Sequence, residues 1–314
     1  MFVGHAALAF AIVGSVAVAR GWPARRALTA ALVAGAFATV PDVDMVYALV
    51  GVTGAVGGDA LAVAGAFWST GNVVHRAVTH SLVLAPPVAF LAALQAARPT
   101  PGRRALAFVT GASLVALVAT LGGALAAFVA AVFLLGAATV GAVTGRYADL
   151  SAPQVFAIAL FGLASHPFGD LFTGEPPAML YPLDTALVTD RVVLASDPTL
   201  HLLGAFGIEL ATVWAAVAVT CLAMGLRPTT AVSPRATLGA GYAASVLLIP
   251  APTLELSYPF VFSVLGVGLL GLLPRVRLVD GTVEPPDWLA AGLTGLSAIT
   301  VAWAAYGAAY VFLG

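Results

Sequence analysis

The sequence predicts an all-α fold: a polytopic transmembrane helix bundle of about ten spans, within a range of eight to ten, with a polar site at one membrane face. Three observations predict it: the composition, a series of apolar runs, and the placement of the arginines. The 314-residue chain is 61% hydrophobic and 9% charged, and its mean hydropathy is +1.03. Soluble domains carry about 25% charged residues, so this chain has too little polar surface for a water-facing exterior.

Ten apolar runs approach or reach the length of about 20 residues that a spanning helix needs. The first has no basic residues ahead of it, so we interpret it as a retained span and not as a cleaved signal. Gly122 and Gly123 divide one long apolar run into two predicted spans. The alternative is that residues 105–144 form one span plus an irregular segment. In chain order the runs are residues 2–19, 27–41, 81–97, 105–121, 124–144, 152–168, 200–226, 236–252, 258–274 and 288–313.

All thirteen basic residues are arginines, and their placement predicts the orientation. With ten spans and an outer N-terminus, only Arg76 and Arg191 fall on the outer side. Cytoplasmic loops collect basic residues, and here they hold the other eleven: Arg20, Arg25, Arg26, Arg98, Arg103, Arg104, Arg146, Arg227, Arg235, Arg275 and Arg277. The sequence therefore predicts a multi-pass protein of the cell membrane.

Two longer segments, about 42–80 and 169–199, lie on the outer side in this layout. The first holds an apolar patch, "LAVAGAFW", that either lies along the interface or re-enters the membrane; the second is rich in Pro and Asp. From residue 200 onward the spans hold few ionisable residues, with Glu209 as the exception. We therefore divide the chain into a membrane domain with the polar site, 1–199, and a C-terminal transmembrane extension, 200–314.

Composition also excludes some partners and sites. The net charge is −1, so there is no basic surface for nucleic acid. The single cysteine, Cys221, lies in an apolar run and rules out a disulfide framework or a thiolate metal site.

Four polar groups of residues converge at one membrane face in this layout. Ionisable groups are costly in a membrane unless they are paired or bind a ligand. Neutral imidazoles and carboxylates are ligands that Zn²⁺ or Mn²⁺ accept, so the sequence predicts a site for one or two divalent ions. The groups are His5, "PDVD" (Pro41 to Asp44), "HRAVTHS" (His75 to Ser81) and "HPFGDLFTG" (His166 to Gly174).

The spacing of these residues indicates how some of them meet. His166 and Asp170 are four residues apart, so on a continuing helix they share a face. Asp42 and Asp44 are two apart and do not share one, although they can converge in an extended segment or a tight turn.

A different condition applies to the two histidines of "HRAVTHS". His75 and His80 diverge by about 140° on an ideal helix. Both can therefore bind one ion only if the helix begins between them, with Thr79 or Ser81 as its cap.

The ordered motifs "GH", "PDVD", "HRAVTHS" and "HPFGDLFTG…YP" resemble those of the YdjM-like family of membrane-bound, metal-dependent hydrolases, over about residues 1–184. One departure is Met45, which stands where family members often carry a further His. The long C-terminal extension is another. The resemblance implies a membrane hydrolase whose metal-binding and catalytic residues are His5, Asp42, Asp44, His75, His80, His166 and Asp170.

These residues suggest a mechanism in which a metal-activated water attacks an ester or phosphoester of a lipid or lipid-linked substrate. Asp44, Arg76 and Thr79 form the catalytic group: Asp44 is the general base, and Arg76 orients a phosphate or carboxylate. The hydroxyls of Thr79, Ser81 and Thr173 orient the metal ligands, which are His5, Asp42, His75, His80, His166 and Asp170.

Two other functions stay open at this point. One is a metal-ion or proton-coupled transporter, since such proteins also place Asp and His within apolar helices. The other is a non-catalytic membrane scaffold with a structural metal. A transporter site lies near mid-membrane and often between repeats; here the cluster lies towards one face and no repeat is evident, which favours the hydrolase. The absence of HExxH and GxSxG disfavours a zincin protease and an α/β-hydrolase.

Overall fold

A computed structural model describes residues 2–227, 231–276, 283–284 and 287–313. The predicted all-α class is confirmed in these residues, where the only strands are the two-residue pair β1 (Arg275–Val276) and β2 (Val283–Glu284). The α-helices are α1 (Phe2–Ala19), α2 (Ala24–Thr39), α3 (Ala48–Gly54), α4 (Ala60–Gly71), α5 (Ala85–Ala96), α6 (Pro101–Tyr147), α7 (Ala152–Gly169), α8 (Pro198–Met224), α9 (Tyr258–Gly266) and α10 (Trp288–Leu313). The described part of the chain also contains five 3-10 helices: Val40–Tyr47, Val78–His80, Asp170–Phe172, Pro234–Leu247 and Val267–Leu272.

A membrane helix bundle agrees with the length and composition of these elements. Within the described ranges, five helical runs are long and apolar enough to cross a membrane: Ala24–Gly54, Pro101–Tyr147, Ala152–Phe172, Pro198–Met224 and Trp288–Leu313. Four shorter apolar helices, Val3–Ala19, Ala60–Gly71, Ala85–Ala96 and Tyr258–Leu272, fall below that length. The count of ten spans, and the orientation derived from it, therefore stay predictions. Arg277, one of the eleven arginines assigned to the cytoplasm, lies outside the described residues.

The boundary predicted at the glycine pair is visible inside α6. This 47-residue element departs from helical geometry at Gly123, where φ is 76° and ψ is −169°. An L-residue rarely adopts this backbone conformation, whereas glycine does so readily. Val118 and Val129, on either side of the break, belong to the same buried cluster, so both halves of α6 contribute to one core.

The chain divides into two compact units. The first comprises the residues up to Val192 together with Thr212–Ala223, and the second comprises Val193–Ala211 and the residues from Met224 onward. All the predicted site residues lie in the first unit. The second has its own buried core around Phe260 and Tyr306, to which α8, α9 and α10 contribute.

Small residues allow close helix packing in the first unit. A Cβ on Gly162 of α7 would lie 2.8 Å from the carbonyl oxygen of Ala34 in α2, and one on Gly35 of α2 would lie 3.1 Å from that of Ala6 in α1. Glycine at such positions lets membrane helices approach closely. The packing of α1, α2 and α7 therefore brings together the chain segments that carry His5, Asp42 and His166.

Candidate metal centre

The chain leaves α2 through a 3-10 helix that carries the two aspartates of "PDVD". Pro41 stands near the start of this helix, Val40–Tyr47, where its missing N–H costs no helical hydrogen bond. A 3-10 helix has three residues per turn, so residues two apart point about 120° away from each other. Asp42 therefore faces His166, whereas Asp44 faces His75 and Thr79.

The histidines of "HRAVTHS" converge by a different route from the one that spacing suggested. Both precede α5, which begins at Ala85, so the expectation of a helix start between them does not hold. Instead Arg76 adopts a positive φ of 68° and Val78–His80 forms a 3-10 turn. The rings of His75 and His80 then meet edge to face, with centroids 5.0 Å apart.

Ser81 fixes the turn that follows. Its hydroxyl oxygen accepts hydrogen bonds from the backbone N–H groups of Val83 and Leu84, each at 3.1 Å, and its hydroxyl donates to the backbone carbonyl of Tyr181. These contacts cap the approach to α5 and tie it to the segment after α7. Ser81 thus holds the backbone that carries His80. The sequence predicted that Ser81 orients a metal ligand directly, whereas these contacts are all with backbone groups.

Asp170 lies at the centre of the cluster, at the end of α7. Its Oδ1 lies 3.1 Å from His5 Nε2, and its Oδ2 lies 2.9 Å from His80 Nε2 and 3.6 Å from His166 Nε2. All four side chains are almost completely buried. The predicted i,i+4 pairing of His166 with Asp170 is therefore present, and two further histidines reach the same carboxylate.

Asp44 organises the other side. Its Oδ1 lies 3.0 Å from His75 Nδ1, and its Oδ2 accepts a hydrogen bond from the Thr79 hydroxyl at 2.6 Å. Because that hydroxyl gives its proton to Asp44, it accepts one from His80 Nδ1, 2.8 Å away. Both histidines therefore carry their proton on Nδ1, which leaves each Nε2 as a bare lone pair.

His166 is fixed in the same tautomer by the backbone. Its Nδ1 lies 2.6 Å from the carbonyl oxygen of Ala38, which can only accept, so Nδ1 carries the proton. In the neutral ring Nε2 is then a lone pair, and it faces His80 Nε2 at 3.1 Å and Asp42 Oδ1 at 3.3 Å, in addition to the Asp170 carboxylate. Electron-rich atoms this close repel one another unless a proton or a metal cation lies among them.

The titration of His80 agrees with a ligand role. Burial lowers the pKa of its imidazole from 6.5 to about 4, although the negative charge of the nearby Asp170 carboxylate acts in the opposite direction. Metal ions bind the neutral form of imidazole. At neutral pH His80 is therefore already in the form that binds metal.

The donor set fits a divalent ion of the Zn²⁺ or Mn²⁺ type. Asp42 Oδ2 is buried without a hydrogen-bond partner, a costly state for a carboxylate oxygen unless it binds a cation. Three overlapping sets offer one ligand atom per residue within 4.8 Å of one another: His5, Asp42 and His166; Asp42, His75 and His80; and His80, His166 and Asp170. Together they contain all six predicted metal ligands.

Arg76 is held at the edge of the cluster by a loop. Its Nη1 donates to the carbonyls of Thr173 and Glu175, the latter at 2.6 Å, and its Nη2 lies 3.7 Å from Asp170 Oδ1. Gly174 adopts a φ of 74°, and a Cβ there would lie 2.9 Å from Nη1. The loop therefore wraps the guanidinium closely, and Thr173 contacts Arg76 instead of a metal ligand.

Two contributors have no obvious signal in the sequence. The Ala38 carbonyl that sets the tautomer of His166 is a backbone group. Gly169 lies against His5, since a Cβ there would come within 2.5 Å of two atoms of the ring. Its position inside "HPFGD", between two ligands, is the only hint that a close approach is needed.

Comparison with known proteins adds a family match. The family model described as YdjM inner membrane protein matches residues 1–249. The match extends beyond the motif-bearing residues 1–184 and includes all of α8. Neither the curated proteins nor the solved structures gave a match.

Proposed function

This chain belongs to the family of YdjM inner membrane proteins, and we propose that it is a metal-dependent hydrolase that cleaves an ester or phosphoester in a membrane lipid or lipid-linked substrate. One observation carries the proposal. Nε2 atoms of His80 and His166 and carboxylate oxygens of Asp42 and Asp170 form a buried cluster whose neighbouring atoms are 2.9 to 3.6 Å apart. A divalent cation would satisfy these atoms together, and they are the donor atoms of catalytic zinc and manganese sites.

The metal ligands follow from the tautomers. His75, His80 and His166 each offer Nε2, and Asp42 and Asp170 each offer carboxylate oxygens. His5 adds a further nitrogen beside Asp170. A bound divalent ion supplies Lewis acidity and lowers the pKa of a water towards about 7. The overlapping sets allow one ion or two.

Asp44 and Asp42 have different roles in this proposal. Both oxygens of Asp44 are engaged, by His75 and Thr79, so we assign Asp44 to holding those two residues. The Asp42 carboxylate has two available oxygens, Oδ1 beside His166 Nε2 and the unpartnered Oδ2, so it can bind the ion through one oxygen and take a proton on the other. In this assignment Asp42, and not Asp44 as the sequence suggested, is the general base.

Arg76 is proposed to act through Asp170 and through its loop. The guanidinium keeps the Asp170 carboxylate in place and has Nη2 as its less engaged nitrogen. That nitrogen is the group of Arg76 that could meet a substrate phosphate or carboxylate. The membrane side on which this happens is predicted to be extracytoplasmic, from the arginine distribution.

The test is hydrolysis by purified protein loaded with Zn²⁺ or Mn²⁺. Phospholipid vesicles and a polyprenyl diphosphate would be the substrates, with released phosphate and fatty acid measured. We expect turnover by wild type, loss on chelation and in Asp170→Ala, and retention in Asp149→Ala, whose carboxylate is exposed and distant in sequence from the motifs. Full metal occupancy without hydrolysis would contradict this proposal and favour the transporter or the scaffold with a structural metal.

A further inference from the structure

A helical hairpin separates the two motifs of the cluster in the chain. It consists of α3 and α4, which follow "PDVD" and precede "HRAVTHS". Gly51 of α3 packs directly against Ala66 and Thr70 of α4, and any Cβ at Gly51 would clash with both. The two short helices therefore form one packed unit.

The outer surface of this hairpin is strongly apolar. Between Met45 and Val74 the only charged residue is Asp59. Large apolar side chains on this stretch are 55% to 81% exposed, namely Leu49, Val50, Val56, Leu61 and Val73. So many exposed large apolar side chains in one stretch without a charge, other than Asp59, indicate a contact with membrane or protein.

The lengths of the two helices and the charge of Asp59 together indicate that one leaflet of the bilayer covers this surface. At 1.5 Å per residue, α3 is about 10 Å long and α4 about 18 Å, whereas a hydrocarbon core is about 30 Å thick. α4 is too short to span, and α3 is the last part of the helical run Ala24–Gly54. Asp59 lies at the turn, where its carboxylate accepts the N–H of Ala62 at 2.8 Å as the cap of α4. A charge at that point belongs at the level of the lipid headgroups.

The base of the hairpin joins the metal cluster directly. Met45, the neighbour of Asp44, packs against Gly71, where a Cβ would lie 2.6 Å from the methionine Cε. The backbone N–H of His75 donates to the carbonyl of Gly71 at 3.0 Å. Asp44 and His75 are therefore attached to the two ends of the hairpin.

We propose that the α3–α4 hairpin lies in one leaflet of the membrane, with the acyl chains of its lipids covering the apolar surface of Leu49, Val50, Val56, Leu61 and Val73. The chain belongs to a family of inner membrane proteins, so lipid is available to cover this surface. The hairpin places the cluster beside the lipids of that leaflet. A membrane lipid is then the substrate class that reaches the site sideways, a consequence that rests on the proposed hydrolase function.

Fluorescence quenching tests the location of the hairpin without any need for metal or turnover. In a Cys221→Ala background, Leu61→Cys is labelled with bimane and reconstituted in phosphatidylcholine vesicles. Leu187→Cys is the matched control, because Leu187 is also an exposed leucine but stands between Asp184 and Asp190 in the irregular segment after α7. The quenchers are doxyl-labelled phosphatidylcholine in the bilayer and iodide in the water.

We expect the label at position 61 to lose most of its fluorescence to 5-doxyl lipid, less to 12-doxyl lipid, and little to iodide, with the control quenched mainly by iodide. Val50→Cys, on α3, provides a second label with the same expected pattern. Quenching of positions 50 and 61 by iodide as strong as at position 187 would overturn the proposal. So would resistance to every quencher, since that would mean that protein covers the surface. A failed hydrolysis assay would leave this result unaffected.

Discussion

Replacing Thr79 with valine removes one hydroxyl group from the metal cluster and keeps the shape of the side chain. The hydroxyl donates to Asp44 Oδ2 at 2.6 Å and accepts from His80 Nδ1 at 2.8 Å. Thr79 is 2% exposed, and Asp44 and His80 are completely buried, so water cannot easily replace the lost hydrogen bonds. The His80 ring then loses the contact that sets its tautomer and its direction.

The expected loss of metal affinity in Thr79→Val follows from the hydrogen bonds that Asp44 and His80 lose. A hydrogen bond to a charged group contributes about 1.5 to 3 kcal/mol, and loss of a residue that orients a metal ligand typically lowers metal affinity about 10- to 100-fold. The second range corresponds to about 1.4 to 2.8 kcal/mol, so the two agree. We therefore expect Thr79→Val to weaken Zn²⁺ binding by about 10- to 100-fold, with Thr79→Ser close to wild type.

The assay is competition for Zn²⁺ between the purified protein and a chromophoric chelator. Thr144→Val is the matched control, because Thr144 is 4% exposed and its hydroxyl bonds the carbonyl of Val140 in its own helix at 2.7 Å. Its metal affinity should equal that of wild type. If Thr79→Val bound Zn²⁺ as tightly as Thr144→Val, the orienting role of the hydroxyl would be refuted.

Two further substitutions test the cluster in other ways. Asp42→Asn replaces a carboxylate oxygen of the cluster and should lower metal content by at least about tenfold. The control Asp59→Asn changes an exposed helix cap and should leave metal content unchanged. Equal metal content in both variants would exclude Asp42 as a ligand. Gly169→Ala places a methyl group 2.5 Å from the His5 ring and should weaken metal binding by displacing that ring. Gly111→Ala, with open space around it, is the control, and the same chelator competition measures both glycine variants.

Much of the helical layout follows from hydropathy alone. The predicted runs 2–19 and 288–313 coincide with α1 and α10, because a charged residue bounds each run on one side, Arg20 after the first and Asp287 before the second. The predicted span 236–252 is instead largely a 3-10 helix, Pro234–Leu247. Hydropathy does not distinguish an i→i+3 from an i→i+4 hydrogen-bond pattern, so the sequence could not predict this difference.

The members of the cluster were predictable, but their detailed roles were not. Ionisable residues in a membrane must find partners, and this requirement brings the motifs together. How His75 and His80 converge depends on the positive φ of Arg76 and on the turn at Ser81, which spacing does not reveal. The tautomer of His166 depends on a carbonyl of Ala38, and every residue has a backbone carbonyl, so no sequence pattern marks this one.

If the buried His/Asp cluster holds a divalent metal ion, as we propose, purified protein will retain that ion in a fixed ratio to the chain. The ratio would be measured by elemental analysis after Zn²⁺ or Mn²⁺ loading and desalting, for wild type, His166→Ala and His201→Ala. His201 is the matched control, because it is also buried but its Nδ1 accepts the backbone N–H of Leu194 in the second unit. We predict one or two ions per chain in wild type and in His201→Ala, and loss of metal in His166→Ala. Equal metal in the two variants, or none in wild type, would contradict the claim.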